Sequence, residues 1–386
     1  NRLFRDVSGY VKELGVKTPS VEQLTKNLSG GNMQKVVLAK WLMTQPKVLI
    51  MDEPTAALTK RESEELYRIT RKLAQEGASV IFISHRFEDM YALAQRVTVF
   101  RDAKYIGTYD VNAITNGELI KAMVGRDISE LFPKPEVEKG EEVLRVENLS
   151  RAGYFKDVTF SVRAGEILGL TGLVGARRTE VAQVIYGIEK ATSGKIYVEG
   201  REVKITCPSD ALKLGIGLLP EDRQIQGLLL DWGIGRNITL TELKRFKKRM
   251  FIDTKHENES AKTLAERVDT KAVSVFDQAS SLSGGNQQKV VVAKALGSDF
   301  RLMILDEPTK GVDVGAKAAV YEILGELAQQ GYAIILISSE MPEMLGLADR
   351  IVVMCEGRVT GELSRDEATQ EKILELAMAK QHKGAQ

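Results

Sequence analysis

The sequence predicts an α/β protein made of two copies of one domain, each with a mostly parallel sheet flanked by helices. The first observation is a repeat: seven of the eight residues that begin at Leu28 recur from Leu282, 254 positions later. The second is a pair of apolar runs, 48–51 and 302–305, each followed directly by Asp-Glu, as in strands buried in parallel sheets. Together they predict that a whole domain is duplicated.

The repeat extends well beyond these eight residues. The same offset places the Asp-Glu-Pro-Thr box at Asp52 onto the one at Asp306 and aligns about 80 residues without a gap. In the second copy a strand-like run begins near residue 142, whereas only 28 residues precede Ser29 in the first copy. We therefore expect about 113 residues of the first domain to be absent from this chain.

The remaining elements alternate between helix and strand. Residues 61–75 and 316–329 have apolar residues at helical spacing, while 80–83 and 334–337 are apolar runs of strand length. This rhythm predicts βαβ units and a parallel sheet. Residues 235–280 are polar and helix-prone and lack this alternation of strand and helix. They therefore predict a helical subdomain inserted before the second Leu-Ser-Gly-Gly stretch, which is called the second signature.

The domain boundaries follow from these elements. Residues 1–132 are interpreted as the C-terminal part of a first domain that lacks its phosphate loop. Residues 133–141 are charged and contain proline, as expected of a linker. Residues 142–380 are interpreted as a complete second domain.

Composition narrows the function classes. Apolar residues make up 43% of the chain and charged residues 28%, as is ordinary for a globular protein. The 54 basic and 53 acidic residues leave a net charge of +1, which argues against a nucleic-acid partner. The two cysteines, Cys207 and Cys355, lack metal-ligand spacing, and no apolar run reaches the roughly 20 residues of a membrane span.

A phosphate-binding loop is predicted at 172–179, after a strand-like run at 167–170. The general pattern is G-x-x-x-x-G-K-[ST], in which glycines let the backbone approach phosphate. Here Arg177 replaces the second glycine, and Arg178 replaces the lysine but keeps its charge. We expect a loop that binds nucleotide but is badly formed for hydrolysis. The residues expected to contact nucleotide are Gly172, Gly175, Arg178 and Thr179.

Carboxylates after the two Asp-Glu strands predict phosphoryl-transfer chemistry. Asp52 and Asp306 are placed to hold Mg²⁺, usually through water. Glu53 is placed to polarise an attacking water. An acidic pair can also begin a helix, but the apolar run before each pair and the proline after it argue against that alternative.

The two copies differ in whether they contain a particular histidine. His85 follows the apolar run 80–83 and is placed to hydrogen-bond the terminal phosphate of a nucleotide, although a lone histidine is more often structural. The offset carries it onto Ser339, so the second copy has no equivalent. Glu307 is expected to contact nucleotide there without making a hydrolysing site.

Each Leu-Ser-Gly-Gly stretch predicts a second phosphate-binding device, because glycines at a helix N-terminus expose backbone N–H groups to an anion. Ser-Gly-Gly by itself is more often a plain turn, but the duplication and the following Asp-Glu box favour function. The residues concerned are Ser29, Gly30 and Gly31 in the first copy and Ser283, Gly284 and Gly285 in the second.

These motifs resemble those of the ATP-binding-cassette superfamily of P-loop NTPases. The sequence motifs that begin at Leu282 and that occupy 172–179 and 220–223 are similar to those of tandem-cassette subunits of bacterial ribose, galactose/methyl-galactoside and xylose importers. The resemblance runs from about Val21 to the C-terminus. It implies two cassettes, each with a helical signature subdomain, with ATP and Mg²⁺ as cofactors. It also implies that ATP hydrolysis is coupled to monosaccharide import, and that the truncated chain alone is poorly active.

The resemblance also implies an assembly. The cassettes would pair head to tail, so that each signature faces the other cassette's phosphate loop, with the first site competent and the second degenerate. The implied partners are transmembrane permease subunits, which dock on the helical subdomain, and indirectly a periplasmic or extracellular sugar-binding protein. The implied location is the cytoplasmic side of the cell membrane, as a peripheral subunit.

Two points leave alternatives open. Glu221 takes the place of a family glutamine that relays nucleotide state to the helical subdomain, or it is an ordinary acidic turn residue. Tyr154 or Phe155 could stack on adenine, and a core aromatic is an equal alternative. The rival function is a soluble tandem-cassette ATPase that acts on ribosomes or nucleic acid. It would be expected to have two intact phosphate loops and a long linker.

Overall fold

The computed structural model describes residues 2–28, 30–55, 58, 60–84, 86–101, 104–124, 132, 137–298, 300–312 and 314–379. The chain divides into two compact units, Asn1–Ile128 and Ser129–Gln386, which are considered separately below. Two residues of the predicted sites, Ser29 and His85, lie outside the described residues.

The first unit alternates helices with short strands. Its elements are α1 (Arg2–Glu13), α2 (Gly30–Leu42), β1 (Val48–Asp52), α3 (Lys60–Gln75), β2 (Ser79–Ile83), α4 (Phe87–Leu93), β3 (Arg96–Arg101), β4 (Lys104–Asp110) and α5 (Asn116–Val124). Strands β1 and β2 pair in parallel, and β3 and β4 pair antiparallel. A small core beneath β1 includes Leu38, Leu49 and Leu66.

The second unit is larger and contains three sheets among its described residues. Its first elements are β5 (Glu142–Arg151), β6 (Phe155–Arg163), β7 (Ile167–Gly172), α6 (Arg178–Ile185), β8 (Ser193–Val198), β9 (Arg201–Val203), α7 (Pro208–Lys213), β10 (Ile216–Leu219), α8 (Ile234–Thr239), β11 (Lys247–Lys248), β12 (Phe251–Ile252) and α9 (Thr254–Arg267). They are followed by α10 (Gly284–Leu296), β13 (Leu302–Asp306), α11 (Val314–Gln329), β14 (Ala333–Ile337), α12 (Met341–Leu347), β15 (Arg350–Cys355), β16 (Arg358–Ser364) and α13 (Gln370–Met378).

The central sheet of the second unit has the strand order β10-β13-β14-β7-β15-β16. Its pairs are parallel except for β15 with β16, which confirms the mostly parallel sheet predicted from the apolar runs. All five residues of β13 and of β14 are buried, because helices or a second sheet cover both faces. That second sheet is antiparallel, in the order β6-β5-β8-β9.

The segment predicted to be a helical subdomain is helical only in part. Helices α8 and α9 pack against each other and against the signature helix α10. Between α8 and α9 the chain forms a β-hairpin of β11 and β12 that the sequence analysis missed. Arg249 adopts a left-handed conformation, with φ of 57°, in the turn of this hairpin, where no glycine marks it in the sequence.

The two units differ in how they cover corresponding strands. Val48, Ile50, Ile81 and Ile83 of the β1–β2 pair are between 47% and 63% exposed. Their counterparts at the 254-residue offset are Leu302, Ile304, Ile335 and Ile337, each at most 1% exposed. In the second unit this face packs under α6 and the antiparallel sheet. The face of the first unit is therefore apolar and open to solvent. Within the described ranges, no helix is both long and apolar enough to cross a membrane.

The matched positions Ile50 and Ile304 test this difference. Ile304→Ala should lower the free energy of unfolding by about 2–5 kcal/mol because it leaves a cavity in a close-packed core. Ile50→Ala should change it by less than about 1 kcal/mol, since the side chain is 63% exposed. Calorimetric unfolding of both variants gives the comparison, and equal losses would show that the β1–β2 face is covered in solution.

Candidate nucleotide site

The phosphate loop lies between β7 and α6, where the chain leaves the central sheet and enters a helix. Gly172 has no room for a side chain, since a Cβ there would lie 2.2 Å from the carbonyl oxygen of Met354. Gly175 has a φ of 87°, a conformation that favours glycine. The loop then delivers Arg178 and Thr179 to the first turn of α6. This strand–turn–helix path directs backbone N–H groups to an anion.

Arg177 keeps the loop's shape in spite of its side chain. It precedes α6 with φ of 74° and ψ of 29°, the left-handed conformation that glycine adopts without cost. Its guanidinium donates to Glu180 at 2.7 Å, and the guanidinium carbon lies 5.4 Å from the centre of the Tyr154 ring. The arginine is thus accommodated at the price of backbone strain rather than by a change of path.

Arg178 is engaged within its own unit. Its guanidinium donates to the carbonyl oxygen of Ser338 at 2.9 Å and lies 3.6 Å from a carboxylate oxygen of Glu307. The hydroxyl of Ser339, at the position aligned with His85, donates to the other oxygen of Glu307 at 3.1 Å. Both carboxylate oxygens of Glu307 therefore contact a neighbouring side chain, which limits the ability of Glu307 to act as the base that activates water.

Asp306 ends β13 directly beneath the phosphate loop and is only 2% exposed. Burial raises the pKa of Asp306 to about 6, although a hydrogen bond from the Thr179 hydroxyl opposes the shift. One of its carboxylate oxygens, Oδ1, is buried and has no hydrogen-bond partner. A buried, unpartnered carboxylate oxygen beside a phosphate loop fits a divalent cation or its water.

The two Asp-Glu pairs share an uncommon backbone geometry. Glu53 and Glu307 have φ of 44° and 47°, in the left-handed region that non-glycine residues rarely occupy. Their N–H groups donate to the carbonyl oxygens of Ile83 and Ile337, at 2.9 Å and 2.8 Å. Strain of this kind concentrates at functional sites, and the repeat preserves it. In contrast to Asp306, Asp52 is exposed, because the face above β1 is open.

The second signature opens α10 as the sequence predicts. Ser283 precedes the helix and accepts a hydrogen bond from the Asn286 side chain at 3.0 Å. A Cβ at Gly284 would lie 2.6 Å from an Arg223 guanidinium nitrogen, so that side chain would have to shift, and Gly285 is buried. In the first unit Gly30 and Gly31 likewise open α2.

Arg223 is a residue of this region whose role the sequence analysis missed. Its guanidinium donates to the carbonyl oxygens of Lys310 at 2.8 Å and Gly311 at 3.4 Å while touching the start of α10 at Gly284. It therefore joins the segment after Glu307 to the signature helix. The Pro-Glu-Asp-Arg motif at 220–223 was the only signal in the sequence that pointed to Arg223.

Two open alternatives acquire structural detail. Glu221 forms an exposed ion pair with Lys310 and lines a cavity together with Thr179 and Asp306. Phe155 is 4% exposed and belongs to the core, whereas Tyr154 is 42% exposed. The guanidinium carbon of Arg151 lies 3.9 Å from the centre of the Tyr154 ring, on which adenine would otherwise stack.

Taken together, the loop, the helix N-terminus and Asp306 could hold a nucleotide phosphate with its divalent cation. No group of three or more His, Cys, Asp or Glu side chains forms a metal cage in the described parts of the chain. Comparison with known proteins decides the family. The model of the family described as ABC transporter matches residues 4–56 and 155–310, more than half of the chain. The chain belongs to the ABC transporter family.

Curated relatives place this ABC protein more narrowly. It is 48% identical over 353 residues to the ribose import ATP-binding protein of Rhodococcus jostii, covering 92% of this chain and 70% of the relative. It is 46% identical to the protein of the same name from Halalkalibacterium halodurans, covering 98% of this chain and 75% of the relative. These similarities confirm the predicted tandem-cassette ATPase family and its ATP-binding, ATP-hydrolysing character.

Solved structures support the fold. A nucleotide-free ATP-binding cassette from an ABC transporter superposes with a TM-score of 0.54 at 23% identity, covering 62% of this ABC protein and all of that chain. The ADP conformation of an ATP-binding cassette gives 0.52 at 24% identity, with the same coverage. The predicted P-loop NTPase cassette fold is therefore confirmed.

The strain at Arg177 can be measured with a matched pair of variants. Arg177→Gly and Arg177→Ala both remove the exposed ion pair, but only glycine removes the left-handed strain. Arg177→Gly should be the more stable of the two by about 1 kcal/mol. This corresponds to a melting temperature about 2–4 °C higher for a unit of this size. Two variants of equal stability would contradict the left-handed assignment.

Asp306→Asn tests the buried carboxylate. The folded pKa is raised, so burial of the charge costs stability that builds as pH rises from about 4 to 6 and is constant above. The variant should be more stable than the parent by about 1–3 kcal/mol at pH 7.5, and the gain should vanish near pH 4. Its Mg²⁺-dependent nucleotide binding should be lost. Unfolding curves at the two pH values and nucleotide titration measure these effects, and a stability loss at pH 7.5 would contradict the pKa shift.

Proposed function

We propose that this protein hydrolyses ATP to drive the import of a monosaccharide through a membrane permease, with ribose as the first candidate substrate. The observation that carries the proposal is the duplicated cassette, with a phosphate loop above Asp306 and 45–48% identity to several proteins named for ribose import. Relatives named for import, together with Arg177 and Arg178 in the second phosphate loop, do not favour the rival function on ribosomes or nucleic acid.

The two nucleotide sites are proposed to be unequal. The competent site would use Asp52, Glu53 and His85, faced by the signature that begins at Ser283. The second site would use Gly172, Gly175, Arg178, Thr179, Asp306 and Glu307, faced by Ser29, Gly30 and Gly31. The engagement of Glu307 by Arg178 and Ser339 supports this division, since it leaves the glutamate badly placed to activate water.

The chain's own residues suggest how the second site acts. Bound Mg²⁺–ATP supplies the negative charge that the site is built to hold. The loop N–H groups and Arg178 would bind the phosphates, and Asp306 would hold the cation through its unpartnered oxygen. For this, Arg178 would exchange Glu307 for phosphate while its other guanidinium nitrogen keeps the Ser338 carbonyl. The pairing of cassettes head to tail would then make nucleotide occupancy a condition for closure.

The open face of the first unit supports a further part of this proposal. The second unit covers the equivalent face with α6 and extends the sheet by pairing β14 with β7. A strand, phosphate loop and helix of the same kind would cover Val48, Ile50, Ile81 and Ile83 and supply the phosphate loop of the competent site. Glu53 would then lie beneath that loop, as Glu307 does in the second unit.

The permease is proposed to dock on the second unit where the sheet meets the helical subdomain. A cavity of about 370 Å³ lies there, and its lining includes Tyr186, Ile188, Thr241 and Phe300. It reaches Glu221 and Asp306, so a permease segment seated in it would sense the nucleotide site. The proposed location is the cytoplasmic side of the membrane, with a sugar-binding protein acting through the permease.

Steady-state ATPase activity tests the assignment of the sites. The activity is measured on a longer chain that also contains a phosphate loop for the first cassette. Glu53→Gln should lower kcat by at least about 100-fold, since it removes the base that orients water. The matched control, Glu307→Gln, should retain at least about a third of the activity, because Glu307 is already engaged. A reversed or equal loss would refute the proposal of one competent site.

A further inference from the structure

A buried carboxylate that is not among the residues assigned to the nucleotide joins three segments of the second unit. Glu343 of α12 is 1% exposed and accepts hydrogen bonds from three hydroxyls. Tyr321 and Ser338 each donate to it at 2.6 Å, and Thr309 is the third donor. These donors come from α11, from the end of β14 and from the Asp-Glu-Pro-Thr box. We call this group the second hub.

The first unit contains the same arrangement at the 254-residue offset. Asp89 of α4 is fully buried and accepts from Thr55 at 2.5 Å, from Ser84 at 2.6 Å and from Tyr67. All four positions correspond to the second hub, although the acid is shorter by one methylene. We call this group the first hub. Two copies built on different acids indicate that three hydroxyl donors around one carboxylate are required, rather than a particular side-chain length.

The chemistry of each hub is one-sided. Burial and the nearby Glu340 raise the pKa of the Glu343 carboxyl, and the hydrogen bonds from its three hydroxyl donors oppose that shift because they favour the ionised form, which is an acceptor only. Burial and the adjacent acid raise the pKa of both Tyr67 and Tyr321, which keeps the phenols protonated as donors. An amide in place of the acid would put an NH₂ group, which only donates, at one of the two oxygen positions, so the hydroxyl there would lose its acceptor and have to reorient.

Ser338 connects the second hub to the nucleotide site. Its hydroxyl donates to Glu343, and it also accepts from the N–H of Glu340 at 2.9 Å, which fixes the turn around Ser339. Its carbonyl oxygen accepts from Arg178 at 2.9 Å and from Thr171 at 3.1 Å. The residue therefore faces the hub with its side chain and the phosphate loop with its backbone.

The first hub has the corresponding connection. Ser84 donates to Asp89 and accepts from the N–H of Arg86 at 3.0 Å. Thr55 lies two residues after Glu53. The first hub thus connects the Asp-Glu-Pro-Thr box, two residues after Glu53, with the residue that follows β2.

We propose that Asp89 and Glu343 are positioning residues, which hold the turn after β2 or β14 against the Asp-Glu-Pro-Thr box and so fix the groups that meet the nucleotide phosphates. This inference rests on the proposed function for the part of the first hub in hydrolysis. For the second hub it requires only that the second cassette binds nucleotide.

The binding experiment uses the present chain and a fluorescent ATP analogue with Mg²⁺. Glu343→Gln should weaken the affinity by about 5- to 20-fold, because a displaced Ser338 no longer orients Arg178. Glu343→Asp, the acid that the first hub uses, should restore at least half of the lost affinity on a logarithmic scale. Ile304→Ala, a buried change outside the hub, is the control for lost stability and should leave the affinity within about twofold.

The hydrolysis experiment uses the protein supplied with a first-cassette phosphate loop. Asp89→Asn should lower kcat about 10- to 100-fold with KM changed by less than about threefold, and Asp89→Glu should recover most of the activity. Glu343→Gln should lower kcat less than about fivefold. A matched Ile→Ala core change that lowers the melting temperature equally should leave kcat nearly unchanged.

The outcomes separate the two proposals. Equal effects of hub and core variants at equal stability loss would show that the hubs are merely structural. A chain with no measurable nucleotide affinity would overturn the role of the second hub. If Glu53→Gln left kcat unchanged while Glu343→Gln abolished it, the proposed site roles would fail and the hub inference would stand with the sites exchanged.

Discussion

Parallel pairing of β13, β14 and β7 is the constraint on which the candidate site depends. Parallel strands end at the same edge, so their pairing places Asp306, Ser338 and the phosphate loop side by side. Each of these comes from a different part of the sequence, and only the sheet makes them neighbours. Because both faces of the sheet are covered, the edge is also where a buried carboxylate such as Asp306 can keep one oxygen without a partner.

The sequence predicted the repeating parts of this architecture well. Apolar runs and helical spacing located strands and helices to within two residues at 48–51, 61–75, 302–305 and 334–337. This worked because buried strands and amphipathic helices each have a characteristic spacing of apolar residues in the local sequence. The phosphate loop and both signatures were also found from local sequence, since glycines there meet a local need for positive φ or close backbone approach. The fold class and family could therefore be predicted from the sequence.

What sequence analysis missed depends on contacts between distant segments. Arg223 meets residues more than 80 positions away, and Glu343 collects hydroxyls from three elements. A serine, a threonine and a tyrosine each have ordinary local roles, so nothing marks them as partners until the chain folds. The hairpin turn at Arg249 was missed because its left-handed residue is not a glycine. The internal alignment did contain one usable signal for the hubs, since the offset carries every hub donor onto the same residue type.

The uncovered face of the β1–β2 pair has a consequence for how the protein behaves at high concentration. Among the described residues these two strands pair only with each other, so backbone donors and acceptors at their edges are offered to any extended segment that approaches. Four aliphatic side chains beside those edges add an attraction that strengthens with temperature over the physiological range. The strand and helix proposed to cover this face would therefore also protect the smaller unit from self-association.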